Sequence, residues 1–414
     1  MNQPVPAIPD PDYASSPVPR SVRRGMLTMF MIMLGFTFFS ASMWVGQQLA
    51  DSLDLPQFVA SLLLGGTILA LYTGLLAYVG AKTGMSLDLL SRKAFGDKGS
   101  YLPSAMIACT QIGWFGVGVA MFAIPVARQL FGGAPLAIWG LVLLAGICMT
   151  ASAYFGIDSL TIVSYLAVPC VAILGTIAMV LAVMRGDATL VDQFAVSSGK
   201  ISIIAGAGLV IGSFVSGGTT TPNFARFART APSAVLTTVV AFFIGNSLMF
   251  FMGGISSIYV GGNDIFEVMV NLNLFYLAIL VLGLNIWTTN DNALYSAGLG
   301  LANICSRRKK PMVLLSGIVG TLASIWLYDH FVFWLNILNA TLPPCGAIII
   351  LAYFLRPADY ATTAVTRAAN PYAIAGVLLG ALVANLFPGF GIPSLNGMLI
   401  ASLVYLLGHA LSKP

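Results

Sequence analysis

The sequence contains few charged residues and no grouped cysteines. Only 8% of its 414 residues are Asp, Glu, Lys or Arg, whereas soluble globular proteins contain about 25%. So few charges cannot cover a water-soluble surface, which excludes a soluble enzyme and a nucleic-acid-binding protein. The five cysteines occur singly, without a CxxC pair or a neighbouring histidine, which argues against a disulfide framework and a zinc site.

Ionisable groups are also scarce inside the apolar runs. Asp291 is the only carboxylate far inside one, and His330 and His409 lie near the ends of their runs. A membrane-embedded enzyme would need a nucleophile with its base, a metal cluster or paired carboxylates, so we expect no enzyme. A charged substrate would lack a counter-ion, so we expect a small, flat, neutral one. We interpret Asp291 as a cytoplasmic gate or a hydrogen bonder at a helix end, with a proton carrier as the alternative.

Apolar residues make up 58% of the chain, and the mean hydropathy is +0.91. They form long neutral runs, and about 20 residues at 1.5 Å rise cross a hydrocarbon core of about 30 Å. The sequence predicts an all-α polytopic protein with twelve transmembrane helices in a lipid bilayer. With both termini in the cytoplasm, all but Arg128, Arg185 and Lys200 of the nineteen Lys and Arg residues face the cytoplasm.

The predicted spans divide the chain into four parts. Residues 1–24 are predicted to be a disordered cytoplasmic tail, because they contain Pro and Ser and no long apolar run. Residues 25–184 contain the first five spans and residues 201–356 the next five. Residues 368–411 contain the last two.

Two spans contain breaks five spans apart. Span 1 places a glycine and hydroxyl residues in Gly35–Ser42, and span 6 packs Gly, Ser and Thr into Gly212–Pro222. Two such breaks predict a five-plus-five inverted repeat with a binding site at the midplane between broken helices 1 and 6. The alternative is that small residues only let helices pack closely.

Span 8 carries a polar stripe. Asn285, Thr288, Thr289 and Asn292 follow helical spacing and therefore share one face. Amide and hydroxyl oxygens that face a broken helix form a hard-oxygen site suited to Na⁺. Interhelical hydrogen bonding is the alternative for each residue taken singly.

Span 3 places a carboxamide beside an indole at Gln111 and Trp114. Trp114 lies deep in its span, which disfavours the alternative role of an interfacial anchor. An aromatic face can stack on a planar ring, and a carboxamide offers a donor and an acceptor to the edge of a heterocycle. Phe214 in the span 6 break is a candidate for the opposing face.

Four segments resemble one known family. GFTFFSASMW, QIGWFGVGVAMFAIPV, GSFVSGGT and GLNIWTTNDNALYSAGLG are similar to the cytosine-transporting branch of the nucleobase-cation symporter family, and the resemblance extends from about Pro17 to the last span. It implies a leucine-transporter-like fold, with ten helices in two inverted repeats and two peripheral C-terminal helices. It also implies a multi-pass protein of the bacterial inner membrane, and we expect it to function as a monomer.

The resemblance implies that cytosine stacks between two aromatic rings, meets three polar groups and is bordered by a third ring. By this resemblance, the stacking rings are Trp114 and Phe214, and the bordering ring is Phe39. The polar groups belong to Gln111, Ser216 and Asn285.

The family likewise implies a Na⁺ site in the span 1 break. Its ligands would be the carbonyl groups of Gly35 and Phe38 and the side-chain oxygens of Asn285, Thr288 and Thr289.

The expected function is secondary active import of cytosine by symport with Na⁺, through alternating access around a midplane site. The alternatives are a permease for another neutral heterocycle (uracil, a purine, a hydantoin or allantoin) and a proton-coupled cytosine symporter. The segment Phe331–Pro344 resembles a helix that closes the outer route, although ordinary packing explains it equally well.

Overall fold

A computed structural model describes residues 12–186, 189–195, 200–262, 265–330, 340–365, 367–387 and 389–411. Within these ranges every regular element is helical, apart from an isolated bridge between Arg24 and Ala228. The predicted all-α fold is confirmed. Residues 331–339 of the proposed outer-route helix lie outside the described residues.

The helices of the first half are α1 (Met26–Thr37), α2 (Ser40–Ala50), α3 (Leu55–Thr83), α4 (Leu87–Phe95), α5 (Tyr101–Phe131), α6 (Pro135–Phe155), α7 (Ile157–Arg185) and α8 (Leu190–Ala195). Those of the second half are α9 (Ile203–Thr219), α10 (Pro222–Ala225), α11 (Ala231–Val240), α12 (Asn246–Val260), α13 (Ile265–Asn271), α14 (Phe275–Cys305), α15 (Lys309–Asp329), α16 (Pro343–Leu355), α17 (Pro371–Leu386) and α18 (Pro393–Leu411).

Many of these helices have the length and composition of membrane spans. Among the described residues, seven helical segments are long and apolar enough to cross a membrane, one of which combines α11 to α13. The bent pair of α1 and α2 is a further candidate. Three shorter apolar helices, α9, α16 and α17, accompany them. The count of twelve spans and the inverted repeat stay predictions.

The predicted break in span 1 is present. Helix α1 ends at Thr37 and α2 begins at Ser40, with Phe38 and Phe39 in extended conformations between them. The two helix axes differ by 55°. The amide of Phe38 donates to the carbonyl of Leu34 at 2.8 Å, which is the hydrogen bond that ends α1.

The interruption in span 6 lies later than the glycines suggest. Helix α9 continues through Gly212 to Thr219, and only Thr220 and Thr221 separate it from Pro222, where α10 begins. Both threonine hydroxyls donate to the carbonyl groups three residues earlier at 2.7 Å, which tightens the last turn. The glycine and serine part of this segment is therefore helical, and the interruption falls at the end of the predicted segment Gly212–Pro222.

Helix α14 lies in the centre of the bundle, against α5, α6, α7 and α15. It packs closely on α5 because a glycine stands at the contact. A Cβ atom at Gly300 would lie 2.8 Å from the carbonyl oxygen of Ser104. Such close backbone approach is typical of small residues in membrane bundles, and it holds the polar stripe of α14 in a fixed position.

Residues 12–24, which the sequence assigned to a disordered tail over residues 1–24, contact the bundle. Asp12 and Lys309 form an ion pair at 2.6 Å, and their side chains are only 2% and 1% exposed. Residues 1–11 lie outside the described residues. The sequence could not show this contact, because its two partners lie far apart in the chain.

A buried arginine anchors the same segment. Arg226, directly after α10, is fully buried and donates to the carbonyl groups of Asp12 and Tyr13 at 2.7 and 2.8 Å. It also donates to the hydroxyl of Tyr295 at 3.1 Å, and the carboxylate of Asp12 accepts from the amide of Ile157 at 3.1 Å. The tail thus joins α7, α10, α14 and α15 at one end of the bundle.

We expect Asp12→Ala to destabilise the protein, because it leaves the buried ammonium group of Lys309 without its carboxylate. Loss of one partner of a buried pair costs about 3 kcal/mol, or roughly 5 °C in Tm. Thermal unfolding of the purified protein in detergent measures this. The control is Asp97→Ala, since Asp97 pairs with Arg92 at 3.7 Å and is 55% exposed; its Tm should change by about 1 °C or less. Equal Tm values for the two variants would contradict the anchoring role of the tail.

Candidate functional site

A small cavity of about 20 Å³ lies where the break between α1 and α2 faces α5, α9 and α14. Five of the six side chains predicted to bind a heterocycle line it, together with Thr289 from the predicted cation site. Those five are Phe39, Gln111, Trp114, Phe214 and Ser216. The structure therefore brings together residues from four distant segments of the chain, whereas the sixth predicted residue, Asn285, is not among the lining residues.

Three aromatic rings dominate this cavity. Phe39 meets Trp114 edge to face at 5.6 Å and Phe214 edge to face at 6.5 Å between ring centroids. A cavity of this size has room for about one water molecule. A planar heterocycle therefore needs more space than this cavity offers, and Phe39 contacts both of the rings predicted to stack on it.

The polar groups of the cavity differ in how well they are paired. The indole Nε1 of Trp114 donates to the hydroxyl of Ser216 at 3.0 Å, which joins α5 to α9. Gln111 is 1% exposed, and its Nε2 has no hydrogen-bond partner in the described part of the chain. A buried N–H without an acceptor costs about 1–3 kcal/mol. This nitrogen is thus available to a bound ligand.

Four further lining residues were not predicted, namely Phe36, Ser213, Gly217 and Ala293. Phe36 is 1% exposed and packs edge to face on Phe214 at 5.2 Å, and Ser213 precedes that phenylalanine on α9. Both lie in segments that the sequence singles out. Their orientation depends on where each helix is interrupted, which composition alone does not determine.

The residues predicted to bind a cation meet where the break touches α14. The hydroxyl oxygen of Thr289 lies 3.3 Å from the carbonyl oxygen of Phe38, 3.5 Å from that of Phe36 and 3.4 Å from that of Asn285. A hydroxyl has one hydrogen and so can satisfy only one of these three acceptors at a time. The surplus of oxygen lone pairs fits a small hard cation.

Gly35 and Thr288 complete this contact. A Cβ atom at Gly35 would lie 3.5 Å from Cβ of Thr288 and 2.7 Å from the hydroxyl of Ser164 on α7. The hydroxyl of Thr288 lies 3.0 Å from the carbonyl oxygen of Asn285 in its own helix. Ser164 is an additional hydroxyl beside the break that the sequence did not indicate.

Two other polar residues of α14 have different partners. Asn292 donates to the carbonyl of Thr288 at 2.8 Å within the same helix, which is a structural bond. Asp291 is fully buried and accepts from the hydroxyl of Ser152 on α6 at 2.5 Å, and that hydroxyl also accepts from Nε1 of Trp287 at 2.8 Å. Asp291 is not among the residues that line the small cavity.

Almost the whole chain is similar in sequence to known proteins. Residues 17–408 match the family of permeases for cytosine and purines, uracil, thiamine and allantoin. The chain is 45% identical to the cytosine permease of Escherichia coli K12 over 400 residues, which cover 96% of this chain and 94% of that protein. It is 23% identical to the hydantoin permease of Microbacterium maritypicum over 337 residues, which cover 74% of this chain and 68% of that one.

The fold is also known. It is similar to that of Mhp1, a transporter of the nucleobase-cation-symport-1 family, in a closed conformation with bromovinylhydantoin bound. The TM-score is 0.81 at 20% identity, and the match covers 96% of this chain and 95% of that one. These relatives are permeases and not enzymes, which confirms both the expected class and the resemblance found in the sequence. The chain therefore belongs to the membrane permease family for cytosine, purines, uracil, thiamine and allantoin.

Proposed function

We propose that this permease imports cytosine by symport with Na⁺ at the contact between the α1–α2 break and α14. The observation that carries the proposal is the double position of Thr289. Its side chain lines the aromatic cavity, and its hydroxyl lies against the carbonyl oxygens of Phe36 and Phe38 in the break. A ligand in the cavity and a cation among these oxygens would share this residue.

The substrate that these residues favour is neutral and planar. The side chains that line the described cavity carry no formal charge, and a charged ligand would be costly in a low-dielectric bundle without a counter-ion. Trp114 and Phe214 supply aromatic faces, and the free Nε2 of Gln111 supplies a donor. The 45% identity to a cytosine permease supports cytosine over the other heterocycles of the family.

Binding would require Phe39 to leave the space between Trp114 and Phe214. Cytosine would then stack between these two rings, with Gln111, Ser216 and Asn285 at its polar edge. Na⁺ would bind the carbonyl oxygens of the break together with the side-chain oxygens of α14. Alternating access would follow from rocking of one group of helices against the other around this site.

We further propose that the protein functions as a monomer in the bacterial inner membrane with both termini in the cytoplasm. The excess of Lys and Arg on the tail side of the predicted spans supports this orientation. In that orientation, the contacts of Asp12 and Arg226 would close the cytoplasmic end while the base is bound.

A proton-coupled cytosine symporter is the second candidate, and Asp291 is the observation that favours it. A buried carboxylate in a membrane bundle is often part of a proton pathway. Asp291 has one oxygen bonded to Ser152, and the other has no hydrogen-bond partner among the described residues. Thr289, by contrast, lines the cavity and contacts the break, which makes Na⁺ coupling the better-supported candidate.

Uptake of radiolabelled cytosine into proteoliposomes tests the proposal. An inward Na⁺ gradient should drive accumulation, whereas a matched K⁺ gradient and an imposed proton gradient should not. Thr289→Ala should raise the Na⁺ concentration for half-maximal uptake by about tenfold, because it removes a hydroxyl that would bind the ion. Cytosine KM at saturating Na⁺ should change less.

Thr67→Ala is the control for this substitution. Thr67 is exposed on α3 and bonds only to a carbonyl of its own helix, that of Leu63. The Na⁺ dependence of cytosine uptake by the Thr67→Ala variant should match that of the wild type. Accumulation driven by protons alone would contradict Na⁺ coupling, and transport of another heterocycle in place of cytosine would contradict the substrate.

Trp114→Ala should weaken cytosine binding by about 1–3 kcal/mol, which is the scale for a base stacked on an aromatic side chain. Isothermal titration of the purified protein in Na⁺ measures the change. Trp139→Ala on α6 is the matched control, since Trp139 is 40% exposed on the outside of the bundle. Equal cytosine affinities in the Trp114→Ala variant and the wild type would show that the indole does not contact the base.

A further inference from the structure

Ser40 joins the break to α14 through a side-chain hydrogen bond. It is the first residue of α2 and is fully buried. Its hydroxyl donates to Oδ1 of Asn285 at 2.7 Å. Ser40 belongs to neither set of predicted binding residues, although Asn285 belongs to both.

This bond fixes the orientation of the Asn285 carboxamide. An amide oxygen has two lone pairs, so Oδ1 can accept from Ser40 and still bind the proposed Na⁺. Oδ1 accepts from Ser40, whereas Nδ2 is buried and has no hydrogen-bond partner in the described ranges. Buried amide groups in native structures are almost always paired with protein, water or a ligand. The free group of Asn285 is thus a donor, and its partner must be an acceptor.

Gln111 shows the same pattern on α5. Its Nε2 is also buried without a hydrogen-bond partner in the described chain, and its side chain lines the cavity. Two unpaired N–H donors favour a heterocycle edge with two acceptors. Cytosine has such an edge, formed by its ring nitrogen N3 and carbonyl oxygen O2, whereas uracil carries an N–H donor at ring position 3. A site whose free groups are hydrogen-bond donors rejects a ligand that presents another donor there, because the N–H groups of both protein and ligand are then left unpaired.

We propose that Ser40 is a positioning residue for substrate selection. Its hydroxyl holds the carboxamide of Asn285 so that Nδ2 donates to an acceptor atom of the base, which favours cytosine over uracil. Without this hydroxyl the carboxamide can rotate by half a turn and present Oδ1 instead. This inference rests on the proposed function and adds a residue to its specificity.

Ser42 provides a matched control on the same helix. It is also fully buried, and its hydroxyl donates to Oδ1 of Asn246 on α12 at the same distance of 2.7 Å. Unlike Asn285, Asn246 belongs to neither set of predicted binding residues. Removal of either serine hydroxyl deletes one buried bond to an asparagine, but only Ser40 orients an asparagine of the proposed site.

The test is isothermal titration of cytosine and uracil, in Na⁺, into the wild type and the variants Ser40→Ala, Ser40→Thr and Ser42→Ala. Ser40→Ala should weaken cytosine binding about three- to tenfold and reduce the ratio of cytosine to uracil affinity by a similar factor. Ser40→Thr keeps the hydroxyl and should restore that ratio. Ser42→Ala should leave the ratio within about twofold of the wild type.

An unchanged ratio in Ser40→Ala, or an equal change in Ser42→Ala, would overturn the role of Ser40. If Ser40→Ala does not give monodisperse protein, Ser40→Cys is measured in its place, since a thiol has a similar size and is a weaker donor. A wild-type protein that binds no cytosine at all would contradict the proposed function instead, so the two failures are distinguishable.

Discussion

The unwound backbone between α1 and α2 has to find polar partners inside the bundle, because lipid offers none. Helix α14 supplies them. The hydroxyl of Thr289 lies against the carbonyl oxygens of Phe36 and Phe38, and Asn285 accepts from Ser40 just beyond the break. The aromatic cavity and the oxygen cluster both depend on this contact between a broken helix and a continuous one.

The structure is closed around its central site. The cavity has a volume of about 20 Å³, and Phe39 contacts both rings between which a base would stack. At one end of the bundle, the ion pair of Asp12 and Lys309 holds the tail against four helices. In the proposed alternating-access cycle, the aromatic contacts and the tail contacts would open at different stages.

The sequence was sufficient where a feature depends on local spacing. The polar stripe of α14 and the pair Gln111 and Trp114 follow helical periodicity, and the first break follows a short run of glycine and hydroxyl residues. The sequence did not predict the features that depend on contacts between distant parts of the chain. The glycine-rich part of α9 stays helical, and the interruption falls only at Thr220 and Thr221. Burial of Asp12 depends on partners far along the chain.

The thermodynamic linkage between Na⁺ binding and cytosine binding tests the central claim most directly. Cytosine affinity should be measured by titration at increasing Na⁺ concentrations, and Na⁺ affinity with and without saturating cytosine. If both ligands use the contact between the break and α14, each should raise the affinity for the other by the same factor, about tenfold or more. Cytosine affinity that is equal in Na⁺ and K⁺ would show that the break does not bind the two ligands together.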